Sequence, residues 1–125
     1  GYQTSELPAF YSRHSGYSVD YQADSPEELA LAFQVQREIG LHGGMLVTNP
    51  IPKEYALDGQ GIQMAIEGAL YQCKAQGIHG KETTPFLLAK VKELTGGTSL
   101  EANIQLVYHN AEVAAQVAGA LSKIS

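Results

Sequence analysis

Residues Gly80–Asn110 read GKETTPFLLAKVKELTGGTSLEANIQLVYHN, and this stretch predicts two helices separated by a Gly-Gly break. Thr84 followed by Pro85 is typical of a helix N-cap with proline at the first helical position, where the missing N–H removes no hydrogen bond. Gly96-Gly97 is expected to end this first helix. Its predicted buried face consists of four apolar residues at helical spacing, which are Leu87, Leu88, Val91 and Leu94.

The second helix is expected to run from Ser99 to about Lys123. Thr98 at its start, with Glu101 three residues later, has the pattern of a capping box. A stripe of apolar residues at helical spacing predicts the buried face of this helix. Its members are Leu100, Ile104, Val107, Ala111, Ala114, Ala118 and Leu121. The small residues in the stripe favour close packing on the parent domain or on a sister subunit.

Asn103 interrupts this stripe, because it shares a helix face with Leu100 and Val107. An amide on a buried face must find hydrogen-bond partners. Two interpretations follow. Asn103 either ties down a neighbouring loop, or faces a ligand pocket near a helix N-terminus, where the amide and the helix dipole both meet a polar ligand.

The upstream half predicts two further helices and two short strands. Ser25-Pro26 predicts a helix start, and this helix should reach about Ile39 and end at Gly40. A second amphipathic helix is expected over Gly61–Gln76, with Gly77 ending it. The predicted strands are Ser18–Gln22 and Met45–Thr48. Two such strands cannot form an independently stable sheet, so sheet partners from elsewhere are expected.

Four further polar residues are candidates for ligand contact. Asn49 follows the second predicted strand in the loop NPIP, and ligands gather at the carboxyl ends of strands in open α/β sheets. Lys81 is placed to neutralise a phosphate or carboxylate near the predicted helix start at Thr84. The alternatives are a rigid turn for Asn49 and a solvated surface position for Lys81. Arg13 and His14 are a further possible phosphate contact, with a solvated loop as the alternative.

Composition excludes several classes of function. The net charge of −5 argues against binding of a nucleic-acid backbone. No apolar stretch approaches the roughly twenty residues that cross a bilayer. The single cysteine, Cys73, is expected to be a buried thiol, which suits a cytoplasmic setting. The four histidines lack the spacing of metal ligands, and no known catalytic motif is present, so no metal or catalytic residue is assigned to this chain.

Four runs resemble, in the same order, the C-terminal part of the pseudouridine-5'-phosphate glycosidases, also called the indigoidine synthase A-like family. They are LPAFYSRHSG (Leu7–Gly16), DSPEELA (Asp24–Ala30), GGMLVTNPIP (Gly43–Pro52) and the signature from Gly80 to Val107. The resemblance covers nearly the whole chain. It implies that residues 1–125 are the C-terminal, helix-rich part of one α/β domain, a three-layer α/β/α fold with a mixed sheet. Members of the family are longer, and their N-terminal part is not matched here.

The resemblance implies a reaction, the reversible cleavage of the C–C glycosidic bond of pseudouridine 5'-phosphate to uracil and ribose 5-phosphate. In the family a lysine forms an imine with the ring-opened ribose, a glutamate moves the proton, and an aspartate holds a divalent metal, typically Mn²⁺. These residues belong to the unmatched N-terminal part. The asparagine of the family's substrate-site motif is matched by Asn103 in Ala102–Leu106 (ANIQL).

The expected partners are therefore this small-molecule substrate, the N-terminal part of the same enzyme and further copies in a homotrimer. Asn103 is the main substrate-binding candidate, with Asn49, Lys81 and Thr84 as lesser ones. Two other classes of function remain open. One is a scaffold or oligomerisation fragment without catalysis, and the other is a nucleotide-binding module without turnover.

Overall fold

The computed structural model describes residues 1–57 and 59–125. This part of the chain forms four α-helices, in which α4 packs against α1 and α3, and α3 packs against α2. The helices are α1 (Pro26–Glu38), α2 (Gly59–Ala75), α3 (Thr83–Leu94) and α4 (Thr98–Ile124). Two short 3₁₀ turns, Lys53–Tyr55 and Gly80–Glu82, lead into α2 and α3. None of the helices in the described ranges is both long and apolar enough to span a bilayer.

The predicted helix ends at Gly40, Gly77 and Gly96 are confirmed. Each glycine has a positive φ, of +82°, +68° and +63° respectively, which a residue with a Cβ rarely adopts. At the end of α3 the N–H of Gly97 donates to the carbonyl of Lys92 (2.9 Å), and the N–H of Gly96 donates to that of Glu93 (3.3 Å). The same pair of bonds closes α1 and α2, so all three helices end in a Schellman motif.

The predicted start of α1 is also confirmed. Ser25 Oγ accepts a hydrogen bond from the N–H of Glu28 (3.2 Å), and Pro26 is the first helical residue. Glu28 Oε2 in turn accepts from the N–H of Asp24 (3.2 Å). Two backbone donors that the helix leaves unpaired are thereby satisfied.

The predicted N-cap at Thr84 is wrong. The turn Gly80–Glu82 runs directly into α3, so Glu82 occupies the cap position without a side-chain hydrogen bond, and Thr84 lies inside the helix. Pro85 becomes the third helical residue. It is tolerated there because the first four N–H groups of a helix have no intrahelical partner.

The predicted capping box of Thr98 and Glu101 is wrong as well. Gly97, with a φ of +94°, occupies the N-cap position of α4, and no side chain caps the helix from there. The hydroxyl of Thr95 takes over this function from the preceding turn. It accepts from the N–H of Ser99 (3.2 Å) and donates to the carbonyl of Val91 (2.8 Å), which links α3 to α4.

The two predicted strands are not formed in the described part of the chain. Ser18 makes only an isolated antiparallel bridge with Glu6, and the carbonyl of Thr48 accepts one bond, from the N–H of Tyr2 (2.9 Å). A strand requires a neighbour that presents a row of N–H and C=O groups, and the described residues supply single bridges instead. Residues 1–57 and 59–125 therefore contribute no sheet strand to the three-layer fold that the resemblance implies.

Two clusters form the hydrophobic core, and α4 contributes to both. The larger cluster contains Tyr11, Ile51, Ile62, Ala65, Ala69, Val91, Ala102 and Leu106. The smaller one contains Tyr2, Ala23, Leu29 and Val113. Cys73 is buried with its Sγ donating to the carbonyl of Ile78 (3.4 Å), which confirms the predicted buried thiol.

The predicted buried stripe of α4 is wrong. Leu100, Ile104 and Val107 are 39%, 40% and 56% exposed. The residues that are buried on this helix are Ser99, Ala102, Leu106, Val113 and Ala120. α4 carries apolar residues on two faces, and the other elements of this chain cover only one of them. Asn103 consequently lies at the edge of the buried face and does not interrupt a buried stripe.

Candidate functional site

A groove of about 740 Å³ runs between α1, α4 and the segment 45–49. Its walls are mainly apolar, and they include Phe10, Phe33, Val47, Leu106, Val113 and Leu121. Thr48, Asn49 and Asn110 are polar groups in the lining. An apolar cavity with a few convergent polar groups is the usual form of a small-molecule site.

The polar part of the groove links the loop after residue 48 to α4. Asn49 Nδ2 donates to Asn110 Oδ1 (3.0 Å) and lies 3.1 Å from His109 Nδ1. His109 Nδ1 is also 3.1 Å from the carbonyl oxygen of Pro50. One ring nitrogen cannot accept from Asn49 and donate to Pro50 at once, so these two contacts alternate with the tautomer. Asn49 Oδ1 and Thr48 Oγ1 are buried without a hydrogen-bond partner among the described residues.

A second polar arrangement holds the loop Leu7–Gly16. The carboxylate of Glu6 accepts from the N–H groups of Ser15 (2.7 Å) and Gly16, and it lies 2.9 Å from His14 Nδ1. These contacts, led by the Gly16 N–H, lower the pKa of Glu6 to about 2. Arg13 Nη1 donates to the carbonyl of Ile51 (2.7 Å). Arg13 and His14, considered for phosphate binding, are thus both engaged within the chain.

The loop Leu7–Gly16 carries two neighbouring aromatic rings. Phe10 has a φ of +66° and is 44% exposed, and its ring meets that of Tyr11 edge-on, with 4.7 Å between the centroids. Tyr11 is buried in the larger core cluster, and its carbonyl accepts from the N–H of Leu57 (2.7 Å). Burial raises the pKa of the Tyr11 hydroxyl, and the nearby Ser99 hydroxyl opposes the rise. The two hydroxyls do not form a hydrogen bond of ordinary geometry, since Ser99 Oγ is unpaired.

The candidate residues predicted from the sequence differ in whether they share a cavity with this aromatic pair. A smaller cavity of about 250 Å³ is lined by Phe10, Tyr11 and Thr84, together with apolar residues of α2 and α3. Asn49 lines the large groove, which Phe10 also borders. Lys81 is exposed on the turn before α3 and lines neither cavity.

Asn103 is half-buried and is not among the residues lining either cavity. Its side chain forms no hydrogen bond with another residue of the described ranges. It lies about one helical turn before Leu106, which borders the groove. The structure thus places Phe10 beside Asn49 in one cavity and beside Thr84 in the other, whereas Asn103 and Lys81 line neither. Phe10 itself was missed from the sequence, because no local pattern indicates a positive φ at a phenylalanine.

The described residues do not fit a cation. No group of three or more His, Cys, Asp or Glu side chains comes together in residues 1–57 and 59–125. The carboxylate with the most contacts, Glu6, is already engaged by two N–H groups and His14.

Comparison with known proteins identifies the family. The family model described as indigoidine synthase A like protein matches residues 1–120. The chain therefore belongs to the indigoidine synthase A-like family, and the resemblance predicted from the four motifs is confirmed.

Individual relatives agree with this assignment. A pseudouridine-5'-phosphate glycosidase from Hahella chejuensis is 57% identical over 94% of this chain, and one from Clostridium botulinum is 55% identical over all of it. These alignments cover 39% and 41% of the two relatives, so the chain spans about two fifths of their length.

Two solved structures share the fold. The prealnumycin C-glycosynthase AlnA, in complex with ribulose 5-phosphate, is 31% identical with a TM-score of 0.84, covering 99% of this chain and 41% of that one. An indigoidine synthase A-like protein from Thermotoga maritima is 34% identical with a TM-score of 0.80, covering 98% of this chain and 39% of that one.

Proposed function

We propose that this chain is the C-terminal part of a pseudouridine-5'-phosphate glycosidase, which reversibly cleaves the C–C glycosidic bond of pseudouridine 5'-phosphate to uracil and ribose 5-phosphate. One observation carries the proposal. Relatives that are 57% and 55% identical over 94% and 100% of this chain bear that name. The AlnA structure, described as a C-glycosynthase complex with ribulose 5-phosphate, supports a sugar phosphate as the kind of ligand.

In this proposal Asn103 is the substrate contact supplied by the chain. An amide presents one acceptor and two donor hydrogens, which suits the imide edge of uracil, where N–H and C=O groups alternate. The environment of Asn103 is compatible with this role, because its half-buried amide has no hydrogen-bond partner among the described residues and so has donors and an acceptor to offer a ligand. Asn49 and Thr84 line the adjoining cavities and contribute to the same region, and Lys81 remains a proposed phosphate contact.

The bond-breaking groups are assigned to the N-terminal part of the enzyme. The lysine that forms the imine, the proton-transferring glutamate and the divalent cation, expected to be Mn²⁺, lie there in this account. The described residues of this chain offer no set of ligands for the cation. The same part is proposed to complete a three-layer α/β/α fold with a mixed sheet, in an enzyme that is trimeric and cytoplasmic.

The direct test is release of uracil by the full-length protein. Pseudouridine 5'-phosphate is incubated with the enzyme and a divalent cation, and uracil and ribose 5-phosphate are quantified by chromatography. Unphosphorylated pseudouridine is the control substrate. Equal amounts of the two products support the proposal. Binding of the nucleotide without any uracil would instead indicate a binding module without turnover, and absence of both binding and turnover would indicate a scaffold.

A further inference from the structure

Phe10 holds an unfavourable backbone conformation in an otherwise well-anchored loop. Its φ of +66° is rare for a bulky residue, since the Cβ then crowds the backbone. Such conformations persist where surrounding contacts over-determine the backbone, and they concentrate at ligand sites. The ring is also 44% exposed, so burial of the side chain within this chain does not account for the conformation.

The anchoring contacts lie on both sides of Phe10. On the amino-terminal side Glu6 accepts from the N–H groups of Ser15 and Gly16, which closes the loop. On the carboxyl-terminal side Arg13 donates to the carbonyl of Ile51 (2.7 Å). The buried ring of Tyr11 supports that of Phe10 edge-on, at an interplanar angle of 88°. The loop therefore holds the partly exposed ring of Phe10 in a fixed position.

That ring lies between two of the candidate site residues. Phe10 lines the large groove together with Asn49 and the smaller cavity together with Thr84. In the large groove the buried oxygens Asn49 Oδ1 and Thr48 Oγ1 have no hydrogen-bond partner among the described residues. The groove therefore offers a polar ligand edge two acceptors beside an aromatic ring.

We infer that Phe10 is a specificity residue of the nucleobase subsite, against which the planar ring of uracil stacks. An aromatic face suits a flat, uncharged base, and the apolar surroundings of Phe10 do not suit the phosphate. This inference rests on the proposed function and refines it, because it assigns the base and the sugar phosphate to different walls of the site.

The test measures the synthetic direction, in which uracil and ribose 5-phosphate bind as separate substrates. Phe10→Gly removes the ring and relieves the strained φ, so it is expected to melt no lower than the wild type. Its KM for uracil should rise about 5- to 150-fold, the range that loss of one base–aromatic stack gives. Its KM for ribose 5-phosphate should stay within about twofold. Phe10→Tyr keeps the ring and should restore the KM for uracil.

Tyr17→Ala is the matched control, because Tyr17 is an exposed aromatic residue just beyond the loop Leu7–Gly16 and lines neither cavity. It should leave both KM values unchanged. A KM for uracil that is unaltered in Phe10→Gly, or KM values that rise equally for the two substrates, would overturn the inference.

A titration of uracil into wild type and Phe10→Gly separates failure of this inference from failure of the proposed function. Should the wild type bind uracil but not release it from the nucleotide, weaker binding by Phe10→Gly still supports the stacking role. Equal binding by the two proteins, or no binding of uracil by either, rejects that role.

Discussion

Glu6 shows how one carboxylate shapes a functional loop in this protein. Its oxygens engage two consecutive N–H groups and a histidine ring, eight to ten residues further along the chain. The sequence offered no sign of this, because the partners are mainly backbone groups that any residue carries. Asn103 is the opposite case, since its importance was inferred from a motif, whereas the buried stripe first invoked for it does not exist.

The Glu6 contacts predict a pH dependence of stability. The pKa of Glu6 is lowered from 4.5 to about 2 in the folded protein, so the folded state favours the ionised carboxylate. This contribution is fully present above pH 4.5 and is lost as the pH falls through the folded pKa near 2. The wild type should therefore melt above Glu6→Gln at pH 6, and the difference in Tm should shrink between about pH 4.5 and pH 2. A difference that is constant across this window would contradict the assignment.

The C-terminal residues of the helices were predicted better from the sequence than the N-terminal residues. A glycine ends a helix because it readily adopts a positive φ, which is a property of that residue alone. Gly40, Gly77 and Gly96 could therefore be recognised as helix ends from the local sequence. The starts at Thr84 and Thr98 depend on whether a 3₁₀ turn or the Thr95 hydroxyl has already satisfied the first N–H groups. That information comes from the neighbouring segment and is absent from the capping pattern.

The predictions of the two strands and of the buried face of α4 were wrong for a different reason. Pairing of Met45–Thr48 depends on which segment lies beside it, and its continuous apolar run does not specify that segment. The choice between the two apolar faces of α4 likewise depends on which neighbours cover them. These features are properties of contacts distant in the chain.

The cap of α1 offers a test of the local interpretation. Ser25→Ala removes the acceptor for the N–H of Glu28 and should lower the free energy of unfolding by about 1 kcal/mol. Ser122→Ala is a matched control at the exposed end of α4, where the hydroxyl donates to the carbonyl of Gly119, and it should cost less. Urea denaturation of the full-length protein measures both. An equal loss in the two variants would show that the Ser25 cap adds no particular stability.

Considered as a whole, the chain exposes more surface than a protein of its size requires. Its accessible area is 8273 Å², whereas a compact monomer of 13.4 kDa exposes about 6500 Å². The excess of about 1800 Å² is larger than one side of a standard protein interface, about 800 Å². Much of it is apolar, including Leu100, Ile104 and Val107 on α4. An additional part of the enzyme packed on these faces would account for the excess.

This excess predicts the behaviour of the isolated 125-residue chain. Alone in solution it should self-associate or fail to melt cooperatively, because many large apolar side chains are exposed, among them Leu46, Val107 and Leu100, and monomers rarely leave extended apolar patches uncovered. Sedimentation velocity and differential scanning calorimetry measure the two properties. A compact monomer with one sharp melting transition would show that the exposed faces need no partner.

The central claim is that this chain supplies the base-recognising amide of a pseudouridine-5'-phosphate glycosidase. Its most direct test is the steady-state kinetics of Asn103→Ala in the full-length enzyme, normalised to folded protein, with Gln116→Ala as an exposed control on the same helix. Loss of a matched amide should lower kcat/KM about 5- to 150-fold, or roughly 1–3 kcal/mol, with the Tm nearly unchanged. Asn103→Asp should be at least as damaging, because it removes the donor and adds a charge. Unchanged turnover and KM in Asn103→Ala would contradict the account.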